Sequence, residues 1–267
     1  MSELQIRTIS GAIIVICILG GIYAGDCIWF FLSSIIALTS LWEYYDLFSH
    51  FSHVSKGIGL IVGAMIIYLA FRGQSFLTVI VLLVLQSYVT LAIETFRRTS
   101  RGKSSALLNM SGISSGLIFI VFPWSFLVML RQKPFGGKLI LSLFLCTWSC
   151  DVLAYLIGSK FGKTSFAHNI SPNKTLEGFA GGLLGSIFCA VILSFCLKIP
   201  PLPWILMGAL VGVCGQIGDL YESLFKREVG VKNSGTLIPG HGGFLDRFDS
   251  ILINSTLIFL VFEVIFS

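Results

Sequence analysis

The chain has 267 residues, of which 55% are hydrophobic and 12% charged, with a formal net charge of +5 at pH 7 and a mean hydropathy of +0.90. That balance excludes an ordinary soluble domain. Many apolar runs are long enough to cross about 30 Å of hydrocarbon, so the expected fold class is an all-α polytopic membrane protein. Backbone groups in lipid must be satisfied internally, and the continuous apolar runs, unlike the short alternating segments of a β-barrel, select helices.

In chain order, nine transmembrane helices are expected, over 9–24, 28–45, 57–71, 75–95, 112–130, 138–158, 177–197, 202–221 and 250–266. The start, with Arg7 and an apolar run from Ile9, has the look of a secretory leader, but with eight further spans behind it the segment is read as a retained first helix. Residues 1–135 are read as a transmembrane scaffold, and 136–267 as a catalytic transmembrane region with polar loops at 159–176 and 222–249. The seven cysteines contain no C-x-x-C pair, and they are read as small buried hydrophobes, including Cys146 and Cys150 one helical turn apart.

Lys and Arg divide unevenly. Thirteen fall on the N-terminal side of this topology and five (Arg72, Arg131, Lys133, Lys138 and Lys198) on the other, which places the N-terminus and both polar loops in the cytosol and the C-terminus outside. Glu43, Glu94, Asp151 and Asp219 lie near the cytosolic ends of their spans. An acid within a span costs about 2.5–3.5 kcal/mol on insertion scales, so each needs a reason. Glu43 and Glu94 are read as pairing with neighbouring helices or the interface, Glu94 with Arg97 and Arg98 one turn away. Asp219 is read as functional, and Glu263 has no evident partner in the sequence.

Two polar blocks stand out. The run from Asp151 to Gly182 is broken by Gly158, Gly162 and Pro172, and its tract Ser171, Pro172, Asn173, Lys174, Thr175 and Glu177 reads as a helix start. Such a start, rich in Ser, Thr and Lys, suits a phosphate, although ordinary capping explains it as well. The second block, Ser223 to Asp249, packs Lys226, Arg227, Lys232, His241, Asp246, Arg247 and Asp249 between apolar runs. Cations beside closely spaced acids are what hold a polyphosphate together with a divalent metal, and Gly240, Gly242 and Gly243 let backbone approach such a ligand. His241 either donates to a phosphate or stabilises the turn. His50, His53 and His168 are read as interfacial.

These blocks resemble the phosphatidate cytidylyltransferase (CDP-diacylglycerol synthase) family. The resemblance rests on Ser223, Phe225, Lys226, Arg227, Lys232, Pro239, His241, Gly242, Gly243, Phe244, Asp246, Arg247, Phe248 and Asp249 in the second block. In the first it rests on Asp151, Ala154, Tyr155, Phe161, Gly162, Lys163, Ser171, Pro172, Lys174, Thr175, Glu177 and Gly178. It covers about 147–186 and 215–250, and departs where the family has aspartate and this chain has Asn233.

The resemblance implies transfer of CMP from CTP to phosphatidate at the cytosolic membrane boundary, with membrane lipid and nucleotide as the partners and no nucleic acid. Attack of an already ionised lipid phosphate needs no protein nucleophile, so catalysis rests on positioning and charge neutralisation. On this reading Asp219, Asp246 and Asp249 hold Mg²⁺ or another divalent cation, with Glu222 a weaker fourth, and Lys226, Arg227, Lys232 and Arg247 grip phosphates. Ser171, Asn173, Lys174, Thr175, Ser223, His241, Gly242 and Gly243 line the substrates. The resemblance also implies that a homodimer is compatible with the fold, although no sequence feature marks an interface.

Competing classes are a CTP-dependent polyprenol or phytol kinase and an anion or nucleotide transporter. The polar motifs all fall after residue 150, with no internal repeat, which favours an enzyme over a transporter.

Overall fold

The computed structural model describes residues 2–198 and 200–265. Among these described residues ten α-helices run in chain order: α1 (Glu3–Ala24), α2 (Asp26–Phe48), α3 (Lys56–Phe71), α4 (Phe76–Arg101), α5 (Ala106–Gly116), α6 (Phe122–Arg131), α7 (Gly136–Phe161), α8 (Leu176–Cys196), α9 (Pro201–Val229) and α10 (Leu245–Ile265). Among the described residues seven helical segments are long and apolar enough to cross a membrane, with α5 and α6 counted as one, and α3 is a shorter apolar helix of 16 residues. The chain is a multi-pass, all-helical membrane protein, and the expected number of nine is approximate.

The differences from the expected spans have local causes. Helix α1 starts at Glu3 because Ser2 and Gln5 form a capping box, Ser2 Oγ accepting from Gln5 N at 3.3 Å and Ser2 N donating to Gln5 Oε1 at 2.8 Å. Between α5 and α6 the chain makes a π-helical turn, Leu117–Val121, that ends two residues before Pro123. A proline has no N–H for the preceding turn and crowds its carbonyl, and a widened turn accommodates both.

The polar segment expected as a loop from 222 is helical through Val229. Ser223 donates to Asp219, and Lys226 pairs with Glu222, each one turn apart, so both contacts favour helix. Gly230, at φ +79°, then stops α9 in the left-handed conformation that glycine adopts readily.

Contacts divide the chain into two compact units: residues 1–129 with 229–247, and residues 130–228 with 248–267. The loop that carries His241, and the first turn of α10 with Asp246, therefore belong to the same unit as the N-terminal helices.

In the first unit, α4 is organised inside out. Gln86, Thr90 and Glu94, spaced one turn apart, are buried, whereas Leu77, Val81, Leu85 and Tyr88 are exposed. In water that helix would turn the other way; in hydrocarbon its polar stripe must face protein. Glu94 is the centre of a buried network. It pairs with Arg97 and accepts from Ser105 N at 2.9 Å and Asn109 Nδ2 at 2.7 Å. Asn109 Oδ1 in turn accepts from Ser55 N at 2.8 Å, which pins the α2–α3 connection.

In the second unit helices approach closely through glycine. Gly178, Gly181, Gly182 and Gly185 form one stripe of α8 against Ala154, Ile157, Cys150 and Leu153 of α7. Helix α9 presents Gly208 and Gly212 to Ser186, Ile187 and Leu183 of α8, and Gly215 and Gly218 to Asn254, Asp249 and Ser250 of α10. Without a hydrophobic force between helices in lipid, such small-residue seams supply the close packing that holds a bundle together. Lys133 pairs with Glu263 at 2.7 Å, which gives that acid its partner.

A Cβ at Gly208 would lie 2.7 Å from Ala190 Cβ and 2.9 Å from a backbone oxygen, whereas Gly20 has nothing within 4 Å. Gly208→Leu is expected to destabilise the detergent-solubilised protein by about 1–3 kcal/mol, read as a lowered thermal midpoint, with Gly20→Leu close to wild type.

Candidate active site

The second unit brings together residues from both polar blocks. The C-terminal part of α7 carries Asp151, α9 carries Asp219, Glu222, Ser223, Lys226 and Arg227, and α10 carries Asp249. A Cβ at Gly218 would sit 3.0 Å from Asp249 O and 3.3 Å from Ser250 Cα, so the glycine lets α9 and α10 cross beside Asp219. Asp249 consequently lies within electrostatic reach of Asp219, Asp151 and Lys226. Lys174 Nζ bridges to Asp219 Oδ2 at 2.7 Å and to Gln216 O at 3.3 Å, and Ser223 Oγ donates to Asp219 Oδ1 at 3.3 Å. Lys226 and Glu222 are both buried, as an ion pair on α9. Asp219 is half-buried and Asp151 exposed, so the cluster has an open side.

The segment that leads into α8 is fixed by its own side chains. Thr175 is the N-cap, its Oγ1 accepting from Gly178 N at 3.2 Å, as the tract's capping pattern predicts. Glu177 accepts from Lys163 N at 3.1 Å and Thr164 N at 3.2 Å, which folds the 162–165 segment back onto the helix start. Arg227 donates from Nε to Ile170 O at 3.2 Å and ties the end of α9 to that segment. Ser171 O accepts from Lys174 N at 3.1 Å, forming the tight turn that includes Asn173.

In the first unit, Ile238, Pro239, Gly240 and His241 make a turn, with His241 N donating to Ile238 O at 3.0 Å and Gly240 at φ +74°. Proline followed by glycine is the type II turn signature. His241 Nδ1 lies 2.7 Å from Ser10 Oγ, and Gly11 packs against its ring. Gly242, at φ +87°, leaves no room for a Cβ beside Asp246 Oδ2. Asp246 is buried, and its Oδ2 accepts from Ser234 N at 2.9 Å, Ser234 Oγ at 3.0 Å and Gly243 N at 2.8 Å. Lys232, Asn233 and Arg247 are exposed.

Of the three acids expected to hold metal, Asp219 and Asp249 share one cluster, joined there by Asp151. Asp246 is held by the loop of the other unit through Ser234 and Gly243. Among the described residues no three His, Cys, Asp or Glu side chains converge into a set that would hold an ion alone. All seven cysteines are free thiols, with Cys146 and Cys150 buried. The hard oxygen donors of Asp151, Asp219 and Asp249 suit Mg²⁺, which is commonly held by one or two carboxylates with substrate phosphates completing its shell.

The sequence marked Glu43 as an acid pairing with a neighbouring helix or the interface, and not as a residue of the site. Its Oε1 accepts from Phe244 N at 3.0 Å, and its Oε2 from Leu245 N at 2.9 Å and Ser234 Oγ at 3.2 Å. The only signal for it in the sequence is that it is an acid within a span.

Fold and site together define a multi-pass helical membrane protein that gathers carboxylates and lysines at one end of a glycine-packed bundle. Residues 5–265 match the model of the Cytidylyltransferase family, and the chain belongs to that family. It is 34% identical over 257 residues to the phosphatidate cytidylyltransferase of Staphylococcus aureus (strain COL), covering 93% of this chain and 95% of that relative. Over 129 residues, 48% of this chain and 50% of the relative, it is 43% identical to the phosphatidate cytidylyltransferase of Staphylococcus haemolyticus (strain JCSC1435). The match therefore extends through the N-terminal helices, beyond the two blocks that carry the resemblance in sequence.

Burial, reinforced by Arg247 and Arg7, holds the His241 imidazole below its ordinary 6.5, so the ring is neutral at pH 7. A depressed histidine favours the folded state fully above 6.5, and that contribution is lost as pH falls below it, because the unfolded chain takes up the proton first. Thermal unfolding in detergent is expected to show lower stability at about pH 5.5 than at about pH 7.5, and His241→Gln to reduce that difference.

Proposed function

We propose that this protein transfers CMP from CTP to phosphatidate, giving CDP-diacylglycerol and pyrophosphate. A phosphate oxygen of the lipid forms the new bond to the α-phosphorus of CTP, and the bond from that phosphorus to the bridging oxygen of the β-phosphate breaks. The lipid phosphate is ionised at neutral pH, so no proton need be taken from it. The observation that carries the proposal is the cluster of Asp151, Asp219 and Asp249 with Lys174 and Lys226, assembled from both polar blocks within one unit of a family member.

In this reading Asp219 and Asp249, with Asp151 beside them, hold the divalent cation, which when bound offsets the charge of the CTP phosphates. Lys174 and Lys226 are held by Asp219 and Glu222 until a polyanion offers a stronger partner, and then bind its phosphates. Arg227 and Arg247 present bidentate forks to phosphate oxygens. His241 with Gly242 and Gly243, Asp246 at the start of α10, Lys232 and Ser223 are read as further substrate contacts. Ser171, Asn173 and Thr175 hold the segment from which Lys174 reaches the ligand. The excess of Lys and Arg on one side supports an orientation with N-terminus and site in the cytosol, where CTP is found, and the C-terminus outside. The exposed apolar faces of the helices give the acyl chains a lateral route to that boundary.

The test is transfer of label from α-³²P-CTP to phosphatidate by purified protein in detergent, with Mg²⁺ and with EDTA. Labelled lipid is expected only with the metal, and Asp219→Asn and Asp249→Asn are each expected to lower kcat by about 10²–10³. Label entering the lipid from γ-³²P-CTP instead would assign a kinase, and no label from either would contradict the proposal. Asn233→Asp is expected to retain activity.

A further inference from the structure

We infer that Glu43, on α2, is a positioning residue for the loop that carries His241 and for the first turn of α10, with Asp246 and Arg247; the inference rests on that segment serving the transfer proposed above. Glu43 is only 2% exposed. Each of the hydrogen bonds described for its carboxylate comes from this one segment: Ser234, Phe244 and Leu245, which lie 191, 201 and 202 residues away in the chain. Its two oxygens receive the amide of Phe244, just before α10, and that of Leu245, the first residue of α10, so the carboxylate caps a helix in another part of the sequence. A buried carboxylate is retained only where hydrogen bonds offset its lost hydration, and here the loop provides them.

The same contacts explain the spacing of the motif. A Cβ at Gly243 would collide with Glu43 Oε2 and Ser234 Oγ, and one at Gly235 would collide with Glu43 Oε1. The loop is thus moulded around the Glu43 side chain. Ser234 passes the constraint on: its Oγ lies 3.2 Å from Glu43 Oε2 and 3.0 Å from Asp246 Oδ2, and its N–H donates to that same Asp246 oxygen. The chain Glu43–Ser234–Asp246 therefore sets where the Asp246 carboxylate points. Between 230 and 244 the loop has no helix or ladder of its own beyond one isolated bridge, so its shape depends on these bonds. Glu94, an equally buried acid on α4, holds helix ends and the 55–109 connection instead, and makes no such contact with the loop.

The test compares full-length wild type, Glu43→Gln, Glu43→Asp and Ser234→Ala, with α-label transfer and peptide-resolved hydrogen exchange measured on each. Glutamine keeps one acceptor oxygen but turns an NH₂ group toward loop donors. Glu43→Gln is expected to lose about 10- to 100-fold in transfer, mainly in kcat. Exchange should rise in peptides covering 234–245 and stay unchanged in α7 and α8. Ser234→Ala should show the same local rise with a smaller loss, and Glu43→Asp should recover part of the activity. Wild-type transfer and wild-type exchange over 234–245 in Glu43→Gln would overturn the inference. So would a rise in exchange throughout the protein, which would assign Glu43 to global stability. A wild-type protein without transfer would remove the proposed function, while the exchange data would still decide what Glu43 holds.

Discussion

Close helix approach through glycine is the constraint on which the second unit depends. Asp151, Asp219 and Asp249 belong to three different helices, and acids in an apolar bundle tolerate one another only with cations at hand. Gly178, Gly182 and Gly185 draw α8 onto α7, while Gly215 and Gly218 draw α9 onto α10. The side chains missing from these seams are what permit the carboxylates, Lys174 and Lys226 to meet at one end. Helix packing and the charge cluster use the same seams, so a larger residue in them disturbs both together.

The first unit solves a different problem, which is to give a defined shape to an irregular, glycine-rich loop. It does so with buried acids. Glu94 gathers Arg97, Ser105 and Asn109 and fixes the helix connections, and Glu43 receives the loop itself. An N-terminal half of this kind is more than a set of membrane anchors, and the family match through it, from residue 5, agrees with a role in the shared architecture.

How much of this was legible in the sequence follows the range of the interactions. Features set by neighbours in the chain were readable: the helix start in the Ser171–Glu177 tract, the pairing of Glu94 with Arg97, and the apolar spans. The extension of α9 to Val229 was not, because a polar, charged stretch after a span reads as loop until Glu222 and Lys226 are seen to pair along a helix. Nor were the contacts of Glu43, which close across about two hundred residues and leave no periodic trace. The assignment of Asp246 to a different unit from Asp219 is of the same kind. Spacing places it three residues from Asp249, but Ser234 and Gly243 decide where its carboxylate is held.

The most direct measurement of the central claim is Mn²⁺ electron paramagnetic resonance on the purified protein, titrated with and without CTP. The account predicts that CTP brings Mn²⁺ onto the wild type, and that Asp219→Asn or Asp249→Asn weakens this by at least about tenfold without changing the unfolding temperature. Mn²⁺ uptake with CTP that is the same in both variants as in the wild type would show that this carboxylate cluster does not hold the metal–nucleotide complex.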